Sequence, residues 1–258
     1  MALLTDKVVL VSGGTQGVGA GVVRAAAREG GKVVFTGRRV EAGEKLVTEL
    51  SATGTEAHFV KTDLADPHQA AQSVNETVRL LGRIDCLVNS AGLTTRGTLL
   101  DTSVELFDQH IAINLRAPFF TMQAAVSDMN RRGEPGTIAN IISMASLGGQ
   151  PYLSPYAAAK AGLAGLTRNA AFAHRWDRIR INGVNIGWTQ TEGEDDIQRQ
   201  FHGADDTWLA EANNRLPMGK LGQVDEIADF VVFLLSDRSG VVTGSVIDWD
   251  QFVAGAHD

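Results

Sequence analysis

The chain of 258 residues contains a single cysteine, Cys86. No intrachain disulfide can form, and a cysteine-based metal site is not expected. Positive charge is also scarce: 23 Lys and Arg stand against 30 Asp and Glu, a formal net charge of −7. The basic patch that nucleic acid or an anionic membrane surface requires is therefore missing, and neither partner is expected. No apolar run approaches the ~20 residues that span a bilayer. The opening MALLTDKVVLVSGG has no basic region followed by a long apolar core. No secretory leader is expected, and the chain reads as cytoplasmic. No Pro/Ser-rich linker or short repeat divides the sequence, so one domain spanning residues 1–258 is the economical reading.

What is present is a regular alternation. KVVLVSG at 7–13 is β-branched and ends in glycine, the pattern of a buried strand. A helical pattern follows to a stop at Gly30. KVVFTG at 32–37, EAHFVKTDL at 56–64, IDCLVNSAG at 84–92, TIANIIS at 137–143, IRINGVNIG at 179–187 and GSVIDWD at 244–250 read as further strands. Helical patterns separate them: 40–54, 67–82 with Pro67 near its first turn, most of 103–132, 155 to about 174, and 225–237. The segment 188–220 reads as polar and irregular. This βαβ order predicts an α/β fold, a Rossmann-like doubly wound parallel sheet of about seven strands with helices on both faces. Such sheets bind ligands beyond the carboxyl ends of their strands, where the strand order reverses.

The functional motifs fall at those ends. The first strand runs into SGGTQGVG, with Gly13, Gly17 and Gly19 flanked by Thr15, Gln16 and Val18. Gly13 permits the tight turn, Gly17 lets backbone approach a pyrophosphate, and Gly19 lets the helix pack close to the strand. The N–H groups opening the helix then face the phosphates. A glycine cluster can also be a plain turn, but here a strand precedes it and a helix follows. Farther on, SPYAAAK places Tyr156 and Lys160 four residues apart, on one face of a helix. On its own that spacing fits a catalytic couple or an ordinary side-chain contact.

The order and spacing of SGGTQGVG, the Asp63-Leu64 pair, NSAG at 89–92, NLRAPF at 114–119, NIIS at 140–143, YAAAK at 156–160 and NIGWTQT at 185–191 resemble the short-chain dehydrogenase/reductase (SDR) family along nearly the whole chain. The resemblance implies an NAD(P)-dependent oxidoreductase acting on an alcohol or carbonyl, assembled as a homotetramer. It implies Tyr156 as general acid/base, with Lys160 favouring the phenolate and reaching the nicotinamide ribose. Ser143 is expected to hydrogen-bond the reacting oxygen, and Asn114 to hold a water in a proton relay to Lys160. Asp63 and Leu64 are expected at the adenine, Asn89, Ala91 and Gly92 beside the cofactor, and Ile186 and Thr191 near the nicotinamide carboxamide. Relatives usually have proline where this chain has Ile186. Asp63, Ser143 and Asn114 also have plain readings: a turn residue, a strand-end turn and a helix kink near Pro118.

Cofactor choice turns on the second strand. An acid that holds the ribose 2′-OH of NAD is expected about 20 residues beyond the glycine loop. Here Gly37 stands in that place, followed by Arg38 and Arg39. Guanidinium groups grip a 2′-phosphate, so NADP(H) is expected in preference to NAD(H). Some NADP-using relatives also carry a basic residue inside the loop, where this chain has Gln16. The segment 188–216, rich in acids, is expected to form a substrate lid suited to a sugar or polyol, with its charges alternatively a solvated face. No metal site is expected. A catalytically idle NADP(H) sensor is the competing function, but it would need none of the proton chemistry of Asn114, Ser143, Tyr156 and Lys160.

Overall fold

The structure is a computed structural model, and it describes residues 2–255. Strands β1 (Val8–Ser12), β2 (Lys32–Gly37) and β3 (Ala57–Lys61) alternate with helices α1 (Gly17–Arg28), α2 (Val40–Ser51) and α3 (Pro67–Leu81). Strand β4 (Cys86–Asn89) leads to α4 (Val104–Ile111) and α5 (Ala117–Arg132), then β5 (Gly136–Ile141), α6 (Ser154–His174) and β6 (Ile179–Ile186). The last third holds β7 (Thr189–Gln190), α7 (Glu192–His202), α8 (Trp208–Asn214), β8 (Gly222–Gln223), α9 (Val224–Leu235) and β9 (Val246–Trp249).

Seven strands form one parallel sheet in the order β3-β2-β1-β4-β5-β6-β9. The order reverses at β1, where β2 lies on one side and β4 on the other, so the connections that leave β1 and β4 cross to strands on opposite sides. That divergence places the site. Because side chains alternate along a strand, Val9 and Val11 enter the core shared with α1, α2 and α9. Leu10 enters the opposite core, with residues of α3, α5 and α6. Burial of a side chain such as Phe35 or Leu10, both at 0% exposure, contributes about 1.5–3 kcal/mol.

The helix ends follow local chemistry. Asp66 caps α3 by accepting the His68 N–H at 2.8 Å, Pro67 sits in the first turn, and Gly82 ends the helix with φ 79°. Ser103 caps α4 in the same way, accepting the Leu106 N–H.

One expectation needs correction. The segment 188–220 is not irregular: it carries α7 and α8, and Thr191 caps α7 by accepting the Glu194 N–H at 3.0 Å. The helical pattern over most of 103–132 is present as α4 and α5, joined by a π-helical turn at Ala112–Arg116 that accommodates an extra residue. That turn contains Asn114.

Candidate active site

A cavity of about 830 Å³ opens at the carboxyl end of the sheet, over the switch between β1 and β4. At one end lies the glycine loop. Gly13 has φ 81°, and a Cβ there would stand 2.6 Å from Ala91, so the turn and the β4 loop are pressed together. A Cβ on Gly19 would lie 2.0 Å from the Gly13 carbonyl oxygen. The start of α1 is thus pressed against the residue that follows β1. A second glycine, Gly21, admits close packing of α1 on α9, where a Cβ would meet Val224 at 2.3 Å. Thr15, Gln16, Gly17, Val18, Ala91 and Gly92 line this end.

Beyond the loop the cavity reaches the end of β2. A Cβ on Gly37 would lie 2.5 Å from Thr15 Cγ2 and 2.7 Å from its Oγ1. Thr15 fills the space an acidic side chain at position 37 would need. Arg38 and Arg39 are exposed at the cavity edge, and Arg39 donates to Gln16 Oε1. Asp63 and Leu64 line the same side, and Asp63 Oδ1 accepts the Ala65 N–H at 3.0 Å. Asp63 thus makes the turn, and it also lines the cavity.

Tyr156, Lys160 and Ser143 meet toward the other end. The helical spacing sets the Lys160 ammonium 5.6 Å from the Tyr156 ring centroid, with Nζ donating to the Ile141 carbonyl at 2.8 Å. Burial lowers the Lys160 pKa to about 8. Burial also raises that of Tyr156, against a hydrogen bond with Ser143 that lowers it, while the Glu194 charge raises it and that of Arg96 lowers it. The chain's own groups therefore do not depress the phenol in the way expected from Lys160. Ser143 sits at the end of β5, opens the short 3-10 turn Met144–Leu147, and accepts the Ala145 N–H at 3.2 Å. Ser146 points elsewhere, donating to Asn185 Oδ1 at 3.1 Å.

Two of the expected residues stand behind the cavity wall. The Asn114 side chain is fully buried and holds the loop after β4, accepting the Leu93 N–H and donating to the Leu93 carbonyl, both at 3.0 Å. Its amide also lies 3.2 Å from Nδ1 of His110, whose Nε2 is 3.0 Å from the Thr95 carbonyl. Asn89 donates to Asn140 Oδ1 at 2.9 Å and accepts from Thr121 at 2.7 Å, a buried tie between β4, β5 and α5. Thr191 and Ile186 do line the cavity. The β ladder holds Ile186, which pairs with Trp249, and the next amide, Gly187, donates to the Trp249 carbonyl at 3.1 Å.

Residues 13–251 match the family profile described as enoyl-(acyl carrier protein) reductase. An uncharacterized oxidoreductase of Thermotoga maritima is 37% identical over 95% of this chain and 96% of its own length. The L-rhamnose 1-dehydrogenase (NAD(P)(+)) of a Sphingomonas species is 33% identical over 96% of each. The chain belongs to the short-chain dehydrogenase/reductase family. Among solved structures, a variant of actinorhodin polyketide ketoreductase with NADPH superposes with a TM-score of 0.90 at 26% identity, covering 99% of this chain and 100% of that one. Like other SDR proteins, the chain is an NAD(P)-dependent oxidoreductase acting on CH–OH groups. Among the described residues, no helix is long and apolar enough to cross a membrane.

The cavity fits the dinucleotide of an SDR enzyme on its own terms. The loop bears no side chain at Gly13, Gly17 or Gly19, and the N–H groups at the start of α1 can take phosphate charge. Lys160, buried and cationic below pH about 8, lines the same cavity. The far end is formed by Arg96, Tyr152, Trp188, Glu194, Gln198 and His202, four of them from the expected lid segment 188–216; the residue that the sequence did not single out is Arg96. Arg96 follows NSAG without any periodic signal, and its neighbours come from α7, about 100 residues later.

Proposed function

We propose that this SDR enzyme moves a hydride between NADP(H) and a small alcohol or carbonyl substrate, such as a sugar, a polyol or a keto compound. The observation that carries this reading is the meeting of Tyr156, Ser143 and Lys160 in the cavity whose other end bears Gly37, Arg38 and Arg39. The nicotinamide, when bound, supplies or accepts the hydride. Tyr156 gives a proton to the carbonyl oxygen in reduction, or takes it from the hydroxyl in oxidation. Ser143 hydrogen-bonds that oxygen and steadies charge as it develops. Lys160 holds its ammonium 5.6 Å from the phenol ring centroid and reaches the nicotinamide ribose. Asn114 acts on the loop at Leu93 rather than on the reacting atoms, and so serves as a positioning residue.

The preference for NADP(H) rests on Thr15 occupying the place of an acid at position 37 and on the exposed Arg38 and Arg39. The dehydrogenase relative carries both cofactors in its name, and the ketoreductase was solved with NADPH. Residues 188–216, with α7 and α8, form the lid over the substrate end. The exposed apolar residues Leu100, Val104 and Phe107 around α4 and Phe172 and Trp176 around the end of α6 are the faces through which the protein assembles as a homotetramer.

Thermal unfolding with NADPH, NADH or neither tests the reading. A ligand at 100 times its Kd stabilises by about 2.7 kcal/mol, a shift of about 5–10 °C in a chain of this size. A larger shift with NADPH is expected. A larger shift with NADH overturns the cofactor assignment.

A further inference from the structure

The substrate end of the cavity holds opposite charges close together among aromatic side chains. Arg96 is fixed from several sides: Nε donates to His202 at 3.2 Å, Nη1 to the Thr94 carbonyl at 3.1 Å, and the guanidinium lies 5.2 Å from the Tyr152 ring centroid. Glu194 is fixed through one oxygen. Its Oε1 accepts from Trp188 Nε1 and from Gln198 Nε2, both at 2.7 Å, which leaves Oε2 without a partner among the described residues. The two charged groups are only 12% and 17% exposed, and their closest approach, 4.0 Å, runs from Arg96 Nη2 to the engaged Oε1 rather than to the free Oε2. That exceeds a hydrogen bond, so the pair is held near contact without closing.

From this geometry we infer that Arg96 and Glu194 form a clamp for a neutral vicinal diol, one hydroxyl accepting from the guanidinium and its neighbour donating to the free carboxylate oxygen. This rests on the oxidoreductase reading above and names the substrate class of that same site. A hydroxyl is suited to the gap because it both donates and accepts, whereas a carboxylate or phosphate only accepts. An anion would also face the carboxylates of Glu194 and Asp250, both at the cavity, against the one guanidinium of Arg96. An acyl thioester could lie along Tyr152, Trp188 and Phe252, but its hydrocarbon would leave the charges of Arg96 and Glu194 without a partner. Arg96 and Glu194 line the same cavity as Ser143 and Tyr156, so a diol held by the clamp lies in the compartment where the chemistry takes place.

The test uses the full-length enzyme with NADP+ and four probes: a neutral aldohexose, the matching uronate, a simple secondary alkanol, and, in the reductive direction, an acyl thioester with NADPH. A site built to hydrogen-bond a hydroxyl discriminates strongly against an analogue that lacks it. Wild type should prefer the aldohexose to both the uronate and the alkanol by at least about tenfold in kcat/KM. Glu194→Gln should cut the aldohexose-to-alkanol ratio by about tenfold or more, chiefly through KM, and should narrow the discrimination against the uronate. Preference for the uronate or the thioester overturns the clamp, as does a Glu194→Gln ratio equal to that of wild type. If no probe turns over, the oxidoreductase reading is at fault, and calorimetry of the aldohexose with the NADP+-loaded protein still decides the clamp. Binding that weakens about tenfold in Glu194→Gln supports it, and absence of binding overturns it.

Discussion

Replacing Lys160 by methionine separates what the ammonium contributes to chemistry from what it costs the fold. Lys160 is 3% exposed, and Nζ donates to the Ile141 carbonyl at 2.8 Å. Burial brings its pKa from 10.5 to about 8, so at pH 7 the folded protein holds a charge its surroundings disfavour. That change corresponds to about 3 kcal/mol. Methionine keeps the length and removes the charge, while the Ile141 carbonyl loses a donor at a cost of about 1 kcal/mol. Lys160→Met should therefore be more stable than wild type by about 2 kcal/mol at pH 7, a rise in Tm of about 4–8 °C. Between pH about 8 and 10.5 the folded protein binds fewer protons at this site than the unfolded chain. Wild-type stability therefore gains on that of the variant as pH rises through this window, and the gap closes. Turnover should fall by about a hundredfold or more at all pH values. Thermal unfolding of both proteins at about pH 7, 9 and 11, which bracket this window, run beside a rate assay, measures all three effects. A variant less stable at pH 7, or a gap that does not change with pH, refutes the assignment of Lys160 as a destabilised buried cation.

Gly37→Asp should cost about 1–3 kcal/mol of stability through its clash with Thr15. Adding Thr15→Ala should recover most of that loss and favour NADH over NADPH; an undiminished loss in the double variant would mean that Thr15 is not the obstruction. Arg38→Ala should weaken NADPH binding by about tenfold or more while leaving NADH nearly unaffected, measured by titration. An equal effect on both cofactors would remove the 2′-phosphate from the account. Cys86 is buried in β4 and its thiol is pushed up to about 12, chiefly by burial, so it should resist thiol reagents until the protein unfolds. Rapid labelling of the native protein would contradict a closed β4.

The strands were legible because each apolar run is bounded by glycine or by a helical period, and the parallel order followed from their alternation with helices. The glycine loop and the pair Tyr156 and Lys160 were legible because their spacing is local. The helices α7 and α8 were not read, although Thr191, Glu192, Glu194 and Asp195 form a cap and an acidic first turn. None of the α7 residues is fully buried, so no broad apolar stripe marks it. The π-helical turn at Asn114 leaves no periodic trace, since it inserts one residue into an otherwise helical run. Arg96 and Glu194 could not be paired from sequence, because the fold alone brings them together across about 100 residues. The direction of the Tyr156 shift depends on burial, which a motif does not report.

The most direct measurement of the central claim follows reduced-nicotinamide absorbance while wild type and Tyr156→Phe are each given NADP+ and a neutral aldohexose. The account predicts steady turnover by wild type and a loss of at least about a thousandfold in Tyr156→Phe, with NADPH affinity, titrated separately, changed by no more than about threefold. Turnover by Tyr156→Phe at a rate near that of wild type would contradict it, because the proton would then come from another group.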